Sequence, residues 1–282
     1  MDPITSIAII SGATGAVAGK LIEKAWEAGE KWIKEYYKSH APKAQQKAKE
    51  NALSFLSKVA EAVKIIQESS RKDPLTIEII ENSFKDPDFS AILQTAIITS
   101  SRTSSDDKHK ILARLISERL LSQAEDMVSL ASSVAVEAIG NLKAKHLYAL
   151  GLAILVERIR PIDIPKDQPQ EKLNQIAYEF WIENLTPLIN KIEDLTYIDI
   201  QHLVAVNCID YQSIVGKNLI KILKFGFGEW DVQKFLTETG EGKKLKEYHG
   251  KYLQHMTLTS AGQLIGTYVK DLVTGMRTKI EW

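Results

Sequence analysis

One cysteine, Cys208, in 282 residues excludes an internal disulfide framework, and with it the small disulfide-stapled secreted class. Excess charge of either sign is also missing: 36 Lys plus Arg balance 36 Asp plus Glu. A dedicated nucleic-acid binder carries a clear basic excess, so no nucleic-acid partner is expected. The six histidines (His40, His109, His146, His202, His249 and His255) form no HExxH pair and share no zinc-like spacing with cysteine or acids. No repeat of fixed period and no low-complexity tract occurs. What remains is the composition of a soluble intracellular protein, 44% hydrophobic and 26% charged, long enough for a sizeable core. No catalytic motif stands out, and neither a metal nor a cofactor is expected.

The unusual feature is a stretch without charge. Between Asp2 and Lys20 lie 17 uncharged residues, PITSIAIISGATGAVAG, at the lower length limit of a membrane-spanning helix. No basic residue precedes the apolar part, unlike a secretory signal, and its Ser, Thr and Gly residues argue against a permanent anchor. Small residues recur four apart, as Ser11, Gly15 and Gly19 in one row and Ala8, Gly12 and Ala16 in another. On a helix such rows let another backbone approach closely. Ile22, Trp26, Gly29, Ile33 and Tyr36 then step by 4, 3, 4 and 3, a heptad seam. Trp26 and Trp32 suit a membrane interface. These patterns serve equally a helix packed inside a soluble bundle or oligomer.

The glycines admit a rival reading. IAIISGATGAVAG is similar to the first strand and turn of a short-chain dehydrogenase, with Gly12, Gly15 and Ala18 at GxxGxxA spacing. The context does not follow: Lys20 to Ser69 reads as two charged helices, and no Tyr is followed four residues later by Lys. Nor is Gly19-Lys20 a P-loop, since Thr14 stands where a Gly is needed and Leu21 follows.

Ser39-His40-Ala41-Pro42 breaks the first helix, and Ala52, Leu56, Val59, Val63 and Ile66 form the seam of the next. Asp73-Pro74 and Asp86-Pro87 pair an N-cap acid with a helix-starting proline, predicting helices near 74–83 and 87–101. Further helices are expected over 106–122, 124–139 and 142–159, the last buried from Leu147 to Val156 with Gly151 in close packing. The three prolines of RPIDIPKDQP make 160–169 a linker or ordered turn. Helices follow near 170–190, 198–208, 213–225 and 230–238, with Gly226, Gly228, Gly240 and Gly242 marking loops. A short strand falls at 252–258 and a last helix runs to Gly275. Arg114, Glu118 and Arg119 read as surface ion pairs, Cys208 as a buried structural thiol, and Lys243, Lys244 and Lys246 as a solvated helix face. The chain is therefore all-α: a long N-terminal helical hairpin over 1–72, then a multi-helix globular domain over 73–282 with a sub-boundary near 160–170.

The order of FKDPDFSAILQTAIITSSRT (84–103), DDKHKILARLISERL (106–120), HLYALGLAILVER (146–158) and LTSAGQLIG (258–266) resembles an uncharacterised bacterial helical family related to the abortive-infection alpha proteins. The resemblance implies a soluble helical module that defends against phage by cell death or dormancy, and it brings no catalytic residues. On this reading Ala8, Ser11, Gly12, Gly15, Ala16, Gly19, Ile22, Trp26 and Ile33 form the membrane or oligomerisation element, a pore-forming candidate. The expected partners are further copies of the chain, an anionic membrane and a protein encoded nearby. The expected location is the cytoplasm, with recruitment to the inner membrane. The alternatives are a non-enzymatic scaffold or partner-binding module and, behind it, a nucleotide-binding enzyme.

Overall fold

The computed structural model describes residues 16–69, 76–120, 127–160 and 169–278, apart from 213, 215, 226 and 228. Its described residues are all-α save for one two-stranded ribbon. The chain divides into two compact units, one ending at Asn141 and the other beginning at Leu142. The division falls there, and not near 72, because the hairpin helices share their core with the helices that follow.

The first unit holds α1 (Ala16–Tyr36), α2 (Pro42–Ser69), α3 (Ile77–Ser83), α4 (Pro87–Ser101), α5 (Asp106–Arg119) and α6 (Met127–Asn141). Pro42 opens α2, where a missing N–H costs nothing. The stripe expected on α2 is sealed: Ala52, Leu56, Val59, Val63 and Ile66 are all buried, joined by Phe55. Each fully buried side chain of that size contributes about 1.5–3 kcal/mol. The helix packs on α1, α4 and α5. Side chains fix the helix starts. Thr76 accepts from the Ile79 N–H (3.2 Å), Asp86 from Asp88 (3.0 Å) and Ser105 from Lys108 (3.4 Å), and Pro87 sits in the first turn of α4. Asp106 and Asp107 lie in the first turn of α5, where the helix dipole favours them. Asp73-Pro74 lies outside the described residues.

Arg119 corrects one expectation. It is no surface residue but 3% exposed, with Nη2 donating to Asp86 (3.0 Å) and Asp88 (2.9 Å) at the start of α4. Arg114 and Glu118 do pair along α5, at 2.9 Å.

The second unit is built on α7 (Ala144–Arg158), followed by α8 (Gln170–Ile189), α9 (Tyr197–Ala205), β1 (Ile209–Tyr211), α10 (Leu219–Lys224), α11 (Val232–Glu238), α12 (Gly240–Lys251), a 3-10 turn (Leu253–His255), β2 (Met256–Leu258) and α13 (Ser260–Thr274). Every residue of α7 from Leu147 to Val156 except Tyr148 is buried, and its main partner is α13. The two helices meet backbone to side chain. A Cβ on Gly151 would lie 2.9 Å from Val269 Cγ1, and one on Gly266 would lie 2.5 Å from the Leu150 carbonyl. Beside them Trp181, Phe227, Trp230 and Phe235 form an aromatic cluster with centroid separations of 5.5–6.0 Å. Arg160 closes this unit's first helix by donating to the carbonyls of Val156 (3.0 Å) and Ile222 (3.0 Å).

Two local expectations change here, and one element is added. Residues 209–211, between the helices expected over 198–208 and 213–225, form a strand pairing antiparallel with β2 in the register Ile209↔Leu258, Asp210↔Thr257 and Tyr211↔Met256. The helix expected over 213–225 is confined to 219–224, capped by Asn218. Gly240 and Gly242 are not loop residues but the first turn of α12. Thr239 caps that turn, and a Cβ on Gly242 would stand 2.2 Å from the Phe235 carbonyl.

Candidate functional site

Helix α1 carries the described part of the element expected from the sequence to meet a membrane or further copies of the chain. Ala8, Ser11, Gly12 and Gly15 lie outside the described residues, and Ala16 is exposed at the start of α1. Gly19, Ile22, Trp26, Gly29 and Ile33 are brought onto one face and buried against the first unit's own helices α2, α3 and α4. Their seam is thus an intramolecular one. The opposite face presents Glu23, Glu27, Lys31, Lys34 and Glu35 to solvent, so α1 is amphipathic. Trp26 is only 6% exposed.

The end of the seam differs from the heptad expectation. Tyr36 is 49% exposed, whereas Tyr37 is buried with its hydroxyl 3.2 Å from Ser101 Oγ on α4. The buried phenol takes the position at which its oxygen finds a partner.

Between α1 and its neighbours the polar contacts are modest. Lys24 meets Glu81 at 3.7 Å and Glu30 meets Lys49 at 3.1 Å, both pairs partly exposed, and exposed pairs contribute about 0–1 kcal/mol. The apolar stripe therefore supplies most of the hold. One close approach is at Gly29, where a Cβ would lie 2.9 Å from Ile97 Cδ1 and 3.3 Å from Ile97 Cγ2.

Behind Tyr37 lies a buried polar group between α2, α4 and α5. Asn51 donates to the Ser101 carbonyl (3.0 Å). His109 Nε2 lies 2.9 Å from the Thr103 carbonyl and 3.2 Å from that of Ser100, so it carries the proton, and Nδ1 faces Ser54 Oγ at 3.2 Å. Burial holds the His109 pKa below its ordinary value against the pull of those carbonyls.

The second unit contains two clusters of ionisable side chains that pattern reading of one sequence did not assemble. In the first, Asp199 Oδ1 meets His146 Nε2 at 2.9 Å, while Oδ2 accepts from Lys145 (2.6 Å) and the Thr196 backbone (2.7 Å). Burial opposes the Asp199 charge, yet these donors hold its carboxyl well below the usual range. The Lys143 N–H donates to His146 Nδ1 at 3.1 Å. Both ring nitrogens are thus engaged, which leaves none to take a substrate proton; the pair ties the start of α7 to the start of α9. The one local sign in the sequence is the Thr196–Asp199 spacing of a capping box.

In the second cluster Lys217 Nζ donates to Glu157 Oε1 (2.7 Å) and to the Met256 carbonyl. Burial raises the Glu157 pKa. Burial, with Lys217 and His255 adding to it, pushes His249 down to about 4, and its Nε2 has no hydrogen-bond partner. Cys208 is fully buried, its thiol pushed up to about 12, as expected of a structural thiol. Among the described residues no group of three His, Cys, Asp or Glu could hold a metal. A cleft of about 210 Å³ beside α12 mixes Glu193 and Asp194 with Lys244 and Lys251, favouring no charge type.

No described helix is long and apolar enough to cross a membrane. The class so defined is an all-α protein with an amphipathic first described helix sealed into its own unit. A model of an uncharacterised family matches residues 19–245, from the first buried turn of α1 into α12, and the chain belongs to that family. No curated protein and no solved structure matches the chain.

Proposed function

We propose that the chain is a non-enzymatic defence effector of abortive-infection type. In this reading the uncharged segment 3–19, delivered by α1, acts on an anionic membrane once several copies gather. The observation that carries it is the absorption of the α1 seam by the first unit. The heptad pattern from Ile22 to Ile33 is accounted for by α2, α3 and α4, and the uncharged segment leads directly into that sealed helix. One uncharged, glycine-diluted segment binds lipid weakly, and several held together gain through effective concentration. The resemblance of its motif order to that of the abortive-infection alpha proteins supports the same reading, with a cytoplasmic resting state recruited to the inner membrane.

Growth after induced expression, paired with membrane fractionation, tests it. Wild type arrests growth and is recovered in part with membranes; Gly15→Glu, a charge in the small row outside the described core, abolishes both while the protein remains helical. Unchanged arrest by Gly15→Glu overturns the reading.

A second reading rests on a different observation. Tyr197 and Ile198 on α9 are 72% and 77% exposed, with Val204 on the same helix 36% exposed. A partner-binding scaffold uses such a face, and Ile198→Glu then abolishes partner capture while growth arrest persists.

A further inference from the structure

We infer that the first unit holds α1 in a closed, inactive position, and that release of this helix from α4 is the step that licenses action at a membrane. The inference rests on the reading of segment 3–19 as membrane-acting. It starts from what α1 is: one face apolar and buried through Leu21, Ile22, Ala25, Trp26 and Ile33, the other charged. That is the make-up of a helix that lies in a lipid–water interface, and Trp26 is the side chain that such an interface accepts best. In the closed position lipid reaches none of that stripe, because α2, α3 and α4 cover it.

Polar contacts add to the apolar hold along the helix. At its C-terminal end, next to the turn into α2, the Tyr37 hydroxyl meets Ser101 on α4 (3.2 Å), and Asn51 on α2 donates to the carbonyl of the same residue (3.0 Å). Farther back along the helix lie the partly exposed Lys24–Glu81 and Glu30–Lys49 pairs. Buried apolar side chains run from Leu21 to Ile33, so release requires the stripe as a whole to part from its neighbours. Gly29 lies against Ile97 of α4, close enough that a leucine there overpacks the contact.

Two variants test this in the full chain, with dye-loaded vesicles of phosphatidylglycerol and phosphatidylethanolamine as the probe. In Gly29→Cys/Ile97→Cys the new thiols face each other across the α1–α4 contact, while Cys208, fully buried in the second unit, stays out of exchange. Oxidation of the pair is expected to cut dye release at least tenfold, and dithiothreitol to restore it. Gly29→Leu is expected to raise release several-fold over wild type while far-ultraviolet helicity is kept. Equal release from the oxidised and reduced pair overturns the closed-state inference and leaves the membrane reading intact. No release from wild type or from the reduced pair overturns both. Failure of the two thiols to join overturns the contact itself.

Discussion

Gly29 and Ile97 meet so closely that a β-carbon on the glycine would lie 2.9 Å from the isoleucine Cδ1. Two opposed effects follow for Gly29→Ala. Alanine gains about 0.5–1 kcal/mol in a helix interior, and Ile97, fully buried, must move by a few tenths of an ångström. The expected net change is under about 1 kcal/mol, whereas Gly29→Leu costs about 1–3 kcal/mol by overpacking. Urea midpoints of the two variants check the pair.

Gly266 faces a harder neighbour. The atom 2.5 Å from its would-be Cβ is the Leu150 carbonyl oxygen, part of the α7 backbone. Backbone does not rotate aside, so α7 and α13 must part. Gly266→Ala is expected to cost about 3 kcal/mol, at the upper end of overpacking effects, and thus more than Gly29→Ala despite the same added methyl. A urea midpoint close to wild type contradicts this.

Arg119 is buried while its partners Asp86 and Asp88 are partly exposed. Removing it leaves two carboxylates in the first turn of α4, where the helix dipole compensates part of the loss. Arg119→Ala is therefore expected to cost about 2–3 kcal/mol, below the 3–5 kcal/mol of a fully buried pair. Chemical denaturation of the variant beside wild type checks it.

Acid should weaken the second unit through its histidines before its carboxylates. His249 is held near 4, below the unfolded value of about 6.5, because burial disfavours its charged form. A lowered folded pKa means full stability above about 6.5 and a loss as the pH falls toward 4, amounting to about 3 kcal/mol at 1.36 kcal/mol per unit. His146, also lowered by burial, declines in the same direction. Asp199 keeps its contribution until the pH falls below the ordinary carboxylate range. His249→Leu is expected to flatten the stability curve between pH 6.5 and 4; an unchanged slope contradicts the assignment.

The α2 seam from Ala52 to Ile66 was legible because a 3.5-residue apolar period needs no partner to be recognised, and Gly151 announced the tight α7–α13 contact for the same local reason. Tyr37 was not, since Tyr36 and Tyr37 are equivalent until the Ser101 hydroxyl on another helix decides between them. The three-residue strands carry too little pattern to show alternation, and β1 pairs with a segment about fifty residues away. Gly242 reads as a loop residue unless the approach of the Phe235 carbonyl is known. Arg119, His146 and Lys217 each find their partners 31 to 60 residues distant in sequence. Short-range spacing identified the helix that carries the candidate site, and only the fold shows that its apolar face is already occupied.

Dye release from anionic vesicles, comparing wild type with Gly15→Glu, tests the central claim most directly. The point variant serves better than deletion of residues 1–38, which would also strip Ile22, Trp26 and Ile33 from the first unit's core. The account predicts release by wild type and at least a tenfold loss in the variant, with both proteins equally helical. Equal release by the two, or none from wild type under conditions in which the reduced Gly29→Cys/Ile97→Cys variant is also silent, contradicts it.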